Sequence, residues 1–323
     1  MKNQAYIIIV IVILLFAGFS TLSGTNKTTS ALEPPDENWY LLPGYPNYAP
    51  NGMPDFDQHQ EESWENQKGG SVFCLPTAVA DVLWWLDSKY EKNQNGIPGD
   101  GKDTCLLVRD YNAPSTPNPG PYTDDHNFNN VNDNQTPYHR YSKNSELIER
   151  LARYHDIRPN LDLSRRPILR SIYSLYHHTF IVLCGAKKLI KDAGLRDQFK
   201  VENLIRPSFS DISKRLQNNE GIVLALVGYI SPSHKWGHAV ALAGINTKDG
   251  KIAISDPWMD VSNINPDPSD RTLHNDPQYV SHDIYEIDLN SPYQNLGSWW
   301  IPKYFEEYGG AIVTAAIVIS EKN

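Results

Sequence analysis

The sequence predicts an α+β domain in which an N-terminal helical part packs on a C-terminal antiparallel β-sheet. Three observations predict it. Helical periodicity lies before residue 220 and is clearest in CLPTAVADVLWWLD (74–87). From residue 222 onward come short runs rich in β-branched and small apolar residues. A tight turn signal, TKDG (247–250), joins two of these runs with no helix between them, so they are expected to pair antiparallel rather than as βαβ units.

Each element has its own local reason. The chain opens MKNQAYIIIVIVILLFAGFSTLSG, with a lysine ahead of an apolar run from Ile7 to Phe19 and small residues after it. That length suits the core of a signal peptide over residues 1–24. Counting on to Leu22 gives a membrane anchor through residues 7–22, just short of a full span of ~20 residues. Either reading puts the remainder outside the cytoplasm, secreted or held at the outer face of the cytoplasmic membrane. Asn26 and Asn134 head glycosylation triplets, which also arise by chance.

Residues 25–57 are dense in Pro, Gly and Asn and read as a linker followed by an extended segment. Trp39, Tyr40 and Tyr45 are expected to pack it onto the domain that follows at 58–323. In 75–90, apolar residues at 75, 79, 82, 83 and 86 follow a helical period, and Pro76 suits a first turn. A helix therefore starts at or beside Cys74 and is expected to bury one face. Residues 91–142 form a long irregular insertion. Its Asp and Asn residues are turn formers or, less simply, calcium ligands, although their spacing matches no EF-hand loop.

Helix is expected again at 145–155, capped by Ser142 or Ser145, and in part of 164–193, ending near Gly194. FKVENLI (199–205) reads as a strand, and 210–221 as a short helix capped by Ser210 and stopped by Gly221. Strands are expected at 222–230, 238–246, 251–256, 282–289 and 311–320. The last is too short to span a membrane.

Composition bounds the function. The 323 residues are 40% hydrophobic and carry a net charge of -9 without a basic block, which argues against nucleic acid as a partner. Three cysteines are an odd number for an extracellular chain. Either Cys105 pairs with Cys184 and leaves Cys74 free, or all three are free thiols.

Cys74 carries the chemical argument. At a helix start its thiolate would meet free backbone N–H groups and the positive end of the helix dipole. His238 opens one expected strand, GHAVALAGIN, and Asp256 closes the next, KIAISD. Two strands joined by TKDG bring these ends together, so an imidazole held by a carboxylate can take the thiol proton and later give it to a leaving amine. Gln67, seven residues before Cys74, supplies an amide that can join the Cys74 backbone N–H in an oxyanion hole. Gln60 competes with Gln67 for that role, and His234 with His238 for the role of base. His177 and His178 read as packing or surface residues. Trp84, Trp85, Trp299 and Trp300 read as core and cleft walls. Trp258 is placed to shield the His–Asp bond from water.

This order resembles the papain-like cysteine peptidases, and within them the bacteriocin-processing, double-glycine leader peptidase branch and its secreted relatives. The residues that carry the resemblance are Gln67, CLPTA (74–78), GHAVALAG (237–244) and SDPW (255–258). No transporter domain is legible, so no export role is implied. The resemblance implies a papain-like fold and hydrolysis of a peptide or protein substrate through an acyl-enzyme, without cofactor or metal. It implies Cys74 as nucleophile, His238 as base, Asp256 as its orienter and Gln67 as oxyanion donor. Leu75 departs from the Gly usual in that branch, and the insertion at 91–142 is a second departure. Two other functions fit the same residues: transglutaminase-like amide transfer, and a cell-surface binding domain with a degenerate triad. Oligomeric state is not legible.

Overall fold

Helix α1 spans Cys74–Tyr90, and every residue from Leu75 to Ser88 is buried. The one-face expectation therefore fails: a helix enclosed on all sides belongs to the interior. The reason lies in its polar residues, which find partners inside the protein. Asp87 Oδ2 accepts the backbone N–H of Val108 at 2.7 Å, and Ser88 Oγ donates to the Trp84 carbonyl at 2.7 Å. Glu91, just past the helix, accepts the N–H of Cys105 at 3.1 Å. These carboxylates fasten Cys105 and Val108 to the helix, and Leu107 and Val108 join the core.

The computed structural model describes residues 38–45, 52–54, 74–91, 105, 107–108, 147, 151, 185–231, 234–257, 283–292, 296–304 and 310–322. Contacts divide the chain into residues 1–30 and 31–323, and all described residues belong to the second unit. The expected signal or anchor segment, the linker, most of the insertion and the cap at Ser142 or Ser145 lie outside them. Within the expected helix at 145–155, residues 147 and 151 are described and are helical.

Among the described residues the sheet has eight strands: β1 (Trp39–Leu41), β2 (Phe199–Ile205), β3 (Gly221–Ser231), β4 (His234–Asn246), β5 (Lys251–Ser255), β6 (Asp283–Glu286), β7 (Trp300–Ile301) and β8 (Ala311–Glu321). Their order is β2-β8-β3-β4-β5-β6, with β1 on β4 and β7 on β8, and the pairings are antiparallel. The fold class is α+β as expected. The last strand of the chain, β8, lies between β2 and β3 and is buried from Ala311 to Ile319. Burial of both faces explains why it reads as a continuous apolar run rather than an alternating one.

Two glycines set close approaches. A Cβ on Gly221 would meet Val82 Cγ1 at 2.4 Å, so the start of β3 can lie directly under α1. A Cβ on Gly244 would meet Leu41 Cδ2 at 2.2 Å, so β1 can lie on β4. The extended segment thus contributes a short strand, and Trp39 and Leu42 enter the core. The Tyr45 ring lies 6.0 Å from that of Trp85.

Residues 185–192 are helical and end at Gly194, whose φ is +75°. Helix α2 (Phe209–Gln217) starts earlier than expected, with Ser208 and not Ser210 as its N-cap. Ser208 and Asp211 form a capping box, satisfying two orphan N–H groups that Ser210, already inside the helix, would leave open. Asn218 ends the helix, leaving Gly221 to begin β3.

Candidate active site

The hairpin of β4 and β5 is set by its turn. Asn246 Oδ1 accepts the N–H groups of Lys248 and Asp249 at 3.1 and 2.9 Å, and Gly250 takes a φ of +63°. The ladder runs Asn246↔Lys251, Ile245↔Ile252 and Gly244↔Ala253, then slips by one residue to Leu242↔Ile254 and Ala241↔Ser255. The extra residue is Ala243. Continued by one pair, this register sets Asp256 across from Val240, on the face that His238 shares. Without the slip Asp256 would lie across from Ala241, on the opposite face, because side chains alternate with a period of two. Diagonal neighbours on one face are within reach of long side chains.

His238 Nε2 lies 2.7 Å from Asp256 Oδ1. An ionised carboxylate only accepts, so Nε2 carries the hydrogen and donates it. Cys74, the first residue of α1, also acts on the ring, through charge and hydrogen bonding. Asp256 is fully buried, the His238 side chain is 7% exposed, and Cys74 is half-buried. Burial works against charge on the imidazole. The Asp256 carboxylate, Cys74 and hydrogen bonds to both outweigh it and push His238 from 6.5 up to about 10. The second Asp256 oxygen, Oδ2, accepts a hydrogen bond from the hydroxyl of Tyr304, which is itself buried.

The structure thus brings Cys74, His238 and Asp256 together. His238 sits inside its strand and does not open it: β4 begins at His234 and pairs with β3 from Ser231↔His234 onward, so residues read as loop continue the ladder. Asp256 is the first residue past β5. Gln67, Gln60, Trp258, His177 and His178 lie outside the described residues, as does the side chain of His234. Leu75, the departure beside the cysteine, is buried and belongs to the core.

Cys105 is a buried free thiol, so of the two readings the one that pairs it with Cys184 does not hold. Burial, with the Asp87 carboxylate next, pushes its thiol up, which suits a packed group rather than a reactive one. Cys184 lies outside the described residues. Among the described residues no group of three or more His, Cys, Asp or Glu side chains is arranged to hold a metal ion. No described helix is long and apolar enough to cross a membrane. A surface depression beside the end of β2, lined by Arg206, Pro207, Lys214 and Arg215 among others, includes none of the site residues.

Tyr304 is the site residue that sequence reasoning missed. The one local signal was the aromatic stretch SWWIPKYF (298–305), read only for its tryptophans. No spacing rule connects a tyrosine in a turn to an aspartate 48 residues earlier.

No protein-family model and no curated protein sequence matches the chain. Two solved structures are similar at a low level. One is described as a C39-like peptidase from Bacillus anthracis, at 12% identity and a TM-score of 0.22, covering 44% of this chain and 58% of that one. The other is the Pseudomonas avirulence protein AvrPphB, at 9% identity and a TM-score of 0.24, covering 81% of this chain and 96% of that one. The chain thus spans somewhat over half the length of the first.

Proposed function

We propose that this chain is a papain-like cysteine peptidase that cleaves peptide bonds through an acyl-enzyme on Cys74. The observation that carries the reading is the His238–Asp256 pair at 2.7 Å, with Cys74 acting on the same imidazole. In this reading Cys74 Sγ gives its proton to His238 and attacks the scissile carbonyl carbon, forming the S–C bond. The oxyanion takes hydrogen bonds from the Cys74 backbone N–H and the Gln67 side chain. The tetrahedral species collapses as the C–N bond breaks, and His238 passes its proton to the leaving amine. Water, giving a proton to His238, then attacks the thioester, and collapse releases the carboxylic acid and the Cys74 thiol. Asp256 holds the ring with Nε2 protonated throughout, so that Nδ1 faces the sulfur.

The apolar run from Ile7 to Phe19 supports a place outside the cytoplasm, secreted or anchored at the outer membrane face. The physiological substrate on this reading is an extracellular or surface-exposed peptide or protein.

A peptide library incubated with the full-length protein, with products read by mass spectrometry, tests the reading. Products cut with addition of water are expected. Adducts with an added amine in place of cut products would assign amide transfer instead, and an untouched library would favour a binding domain.

A further inference from the structure

We infer that Tyr304 is a positioning residue for the proposed reaction, its hydroxyl fixing the Asp256 carboxylate that in turn orients His238. The inference rests on the peptidase reading of the site but on different atoms. Asp256 presents one oxygen to each neighbour: Oδ1 to His238 and Oδ2 to the Tyr304 hydroxyl. A carboxylate bonded through one oxygen alone keeps rotational freedom, whereas two donors on opposite oxygens fix its plane. Both Asp256 and Tyr304 are fully buried, where hydrogen bonds to a charged group are stronger than in water.

The ring of Tyr304 is also fixed from two sides. It lies nearly parallel to the imidazole of His238, at 29° with centroids 6.3 Å apart, and covers it from that side. Tyr285 on β6 meets it edge-on at 5.1 Å. The turn that carries Tyr304 follows β7 and closes with a Tyr304 N–H to Ile301 carbonyl bond of 3.3 Å. Gly310 makes room for this turn. Its φ is +85°, and a Cβ there would meet the Ile301 carbonyl oxygen at 2.8 Å and that of Pro302 at 2.9 Å. Three strands therefore converge on one hydroxyl–carboxylate contact, more order than a packing tyrosine needs.

The test uses full-length Tyr304→Phe, which keeps the ring and removes only the hydroxyl. Loss of a hydrogen bond to a charged group predicts kcat lower by about tenfold with KM unchanged. The Nε2–H proton resonance of His238, observed in protein labelled at histidine with nitrogen-15, is expected to shift and to exchange faster with solvent. In an Asp256→Ala background the Tyr304→Phe change is expected to cost nothing further, since its route to His238 is gone. A full additional loss in that background, or an unchanged His238 resonance, would overturn the inference. Should Tyr304→Phe fail to fold, 3-fluorotyrosine placed at position 304 alters donor strength without altering shape, and the His238 resonance must still move. A wild-type protein that cleaves no peptide would defeat the peptidase reading, while the resonance would still decide the role of Tyr304.

Discussion

His238 and Asp256 meet at 2.7 Å across a hairpin whose register slips by one residue at Ala243. The slip puts their side chains on one face, and the rigid ladder on either side holds them there. A bulge beside a site is a common way to aim a side chain. Here it aims the Asp256 carboxylate at His238.

The first prediction concerns these two residues. His238→Ala removes the base and is expected to lower kcat/KM by about 10³- to 10⁴-fold. Asp256→Ala is expected to cost less, because the base survives although its ring is poorly held. Moving the carboxylate one place along, in Asp256→Ala with Pro257→Asp, should not restore activity, since alternate positions point to opposite faces. Steady-state kinetics of the three variants check the order.

Stability should depend on pH through the same pair. The imidazole of His238 is raised from 6.5 to about 10 in the folded protein. A raised group stabilises the fold fully below its unfolded value, and that contribution is lost as pH rises through the folded value. Unfolding free energy is therefore expected to decline between about pH 6.5 and about pH 10. Urea denaturation across this window should show the decline in the wild-type protein and a flatter profile in His238→Gln.

The oxyanion donor gives a third prediction. Gln67→Ala is expected to lower kcat by about 10²- to 10³-fold with little change in KM, as for loss of a single donor. If Gln60→Ala has that effect and Gln67→Ala does not, the role passes to Gln60. The comparison is made on one peptide substrate with both variants shown to be folded by circular dichroism.

Much of this is legible in the sequence alone. Apolar spacing in 75–86 located α1, β-branched runs located β3, β4, β5 and β8, and TKDG located the hairpin turn, because these signals are local. What the sequence hid was nonlocal. Burial of α1 from Leu75 to Ser88 goes with Asp87 and Glu91 binding residues from the insertion, a contact no periodicity encodes. The N-cap fell at Ser208 because Asp211 completes a capping box with it and not with Ser210. His238 and Asp256 were found from residue type and strand ends. A regular hairpin in the expected register would have put them on opposite faces, and nothing in ALAG marks the slip at Ala243. Tyr304 was missed for the same reason as the slip, since its partner is set by the return of the chain after β7.

The nucleophile itself is the most direct test. Wild-type protein and Cys74→Ala, both full-length and both shown to be folded, are given the best substrate from the peptide library, and product is followed by mass spectrometry. The account predicts cleavage by the wild-type protein, an intact-mass adduct on Cys74 in acid-quenched samples, and neither cleavage nor adduct in Cys74→Ala. Undiminished hydrolysis by folded Cys74→Ala would contradict it.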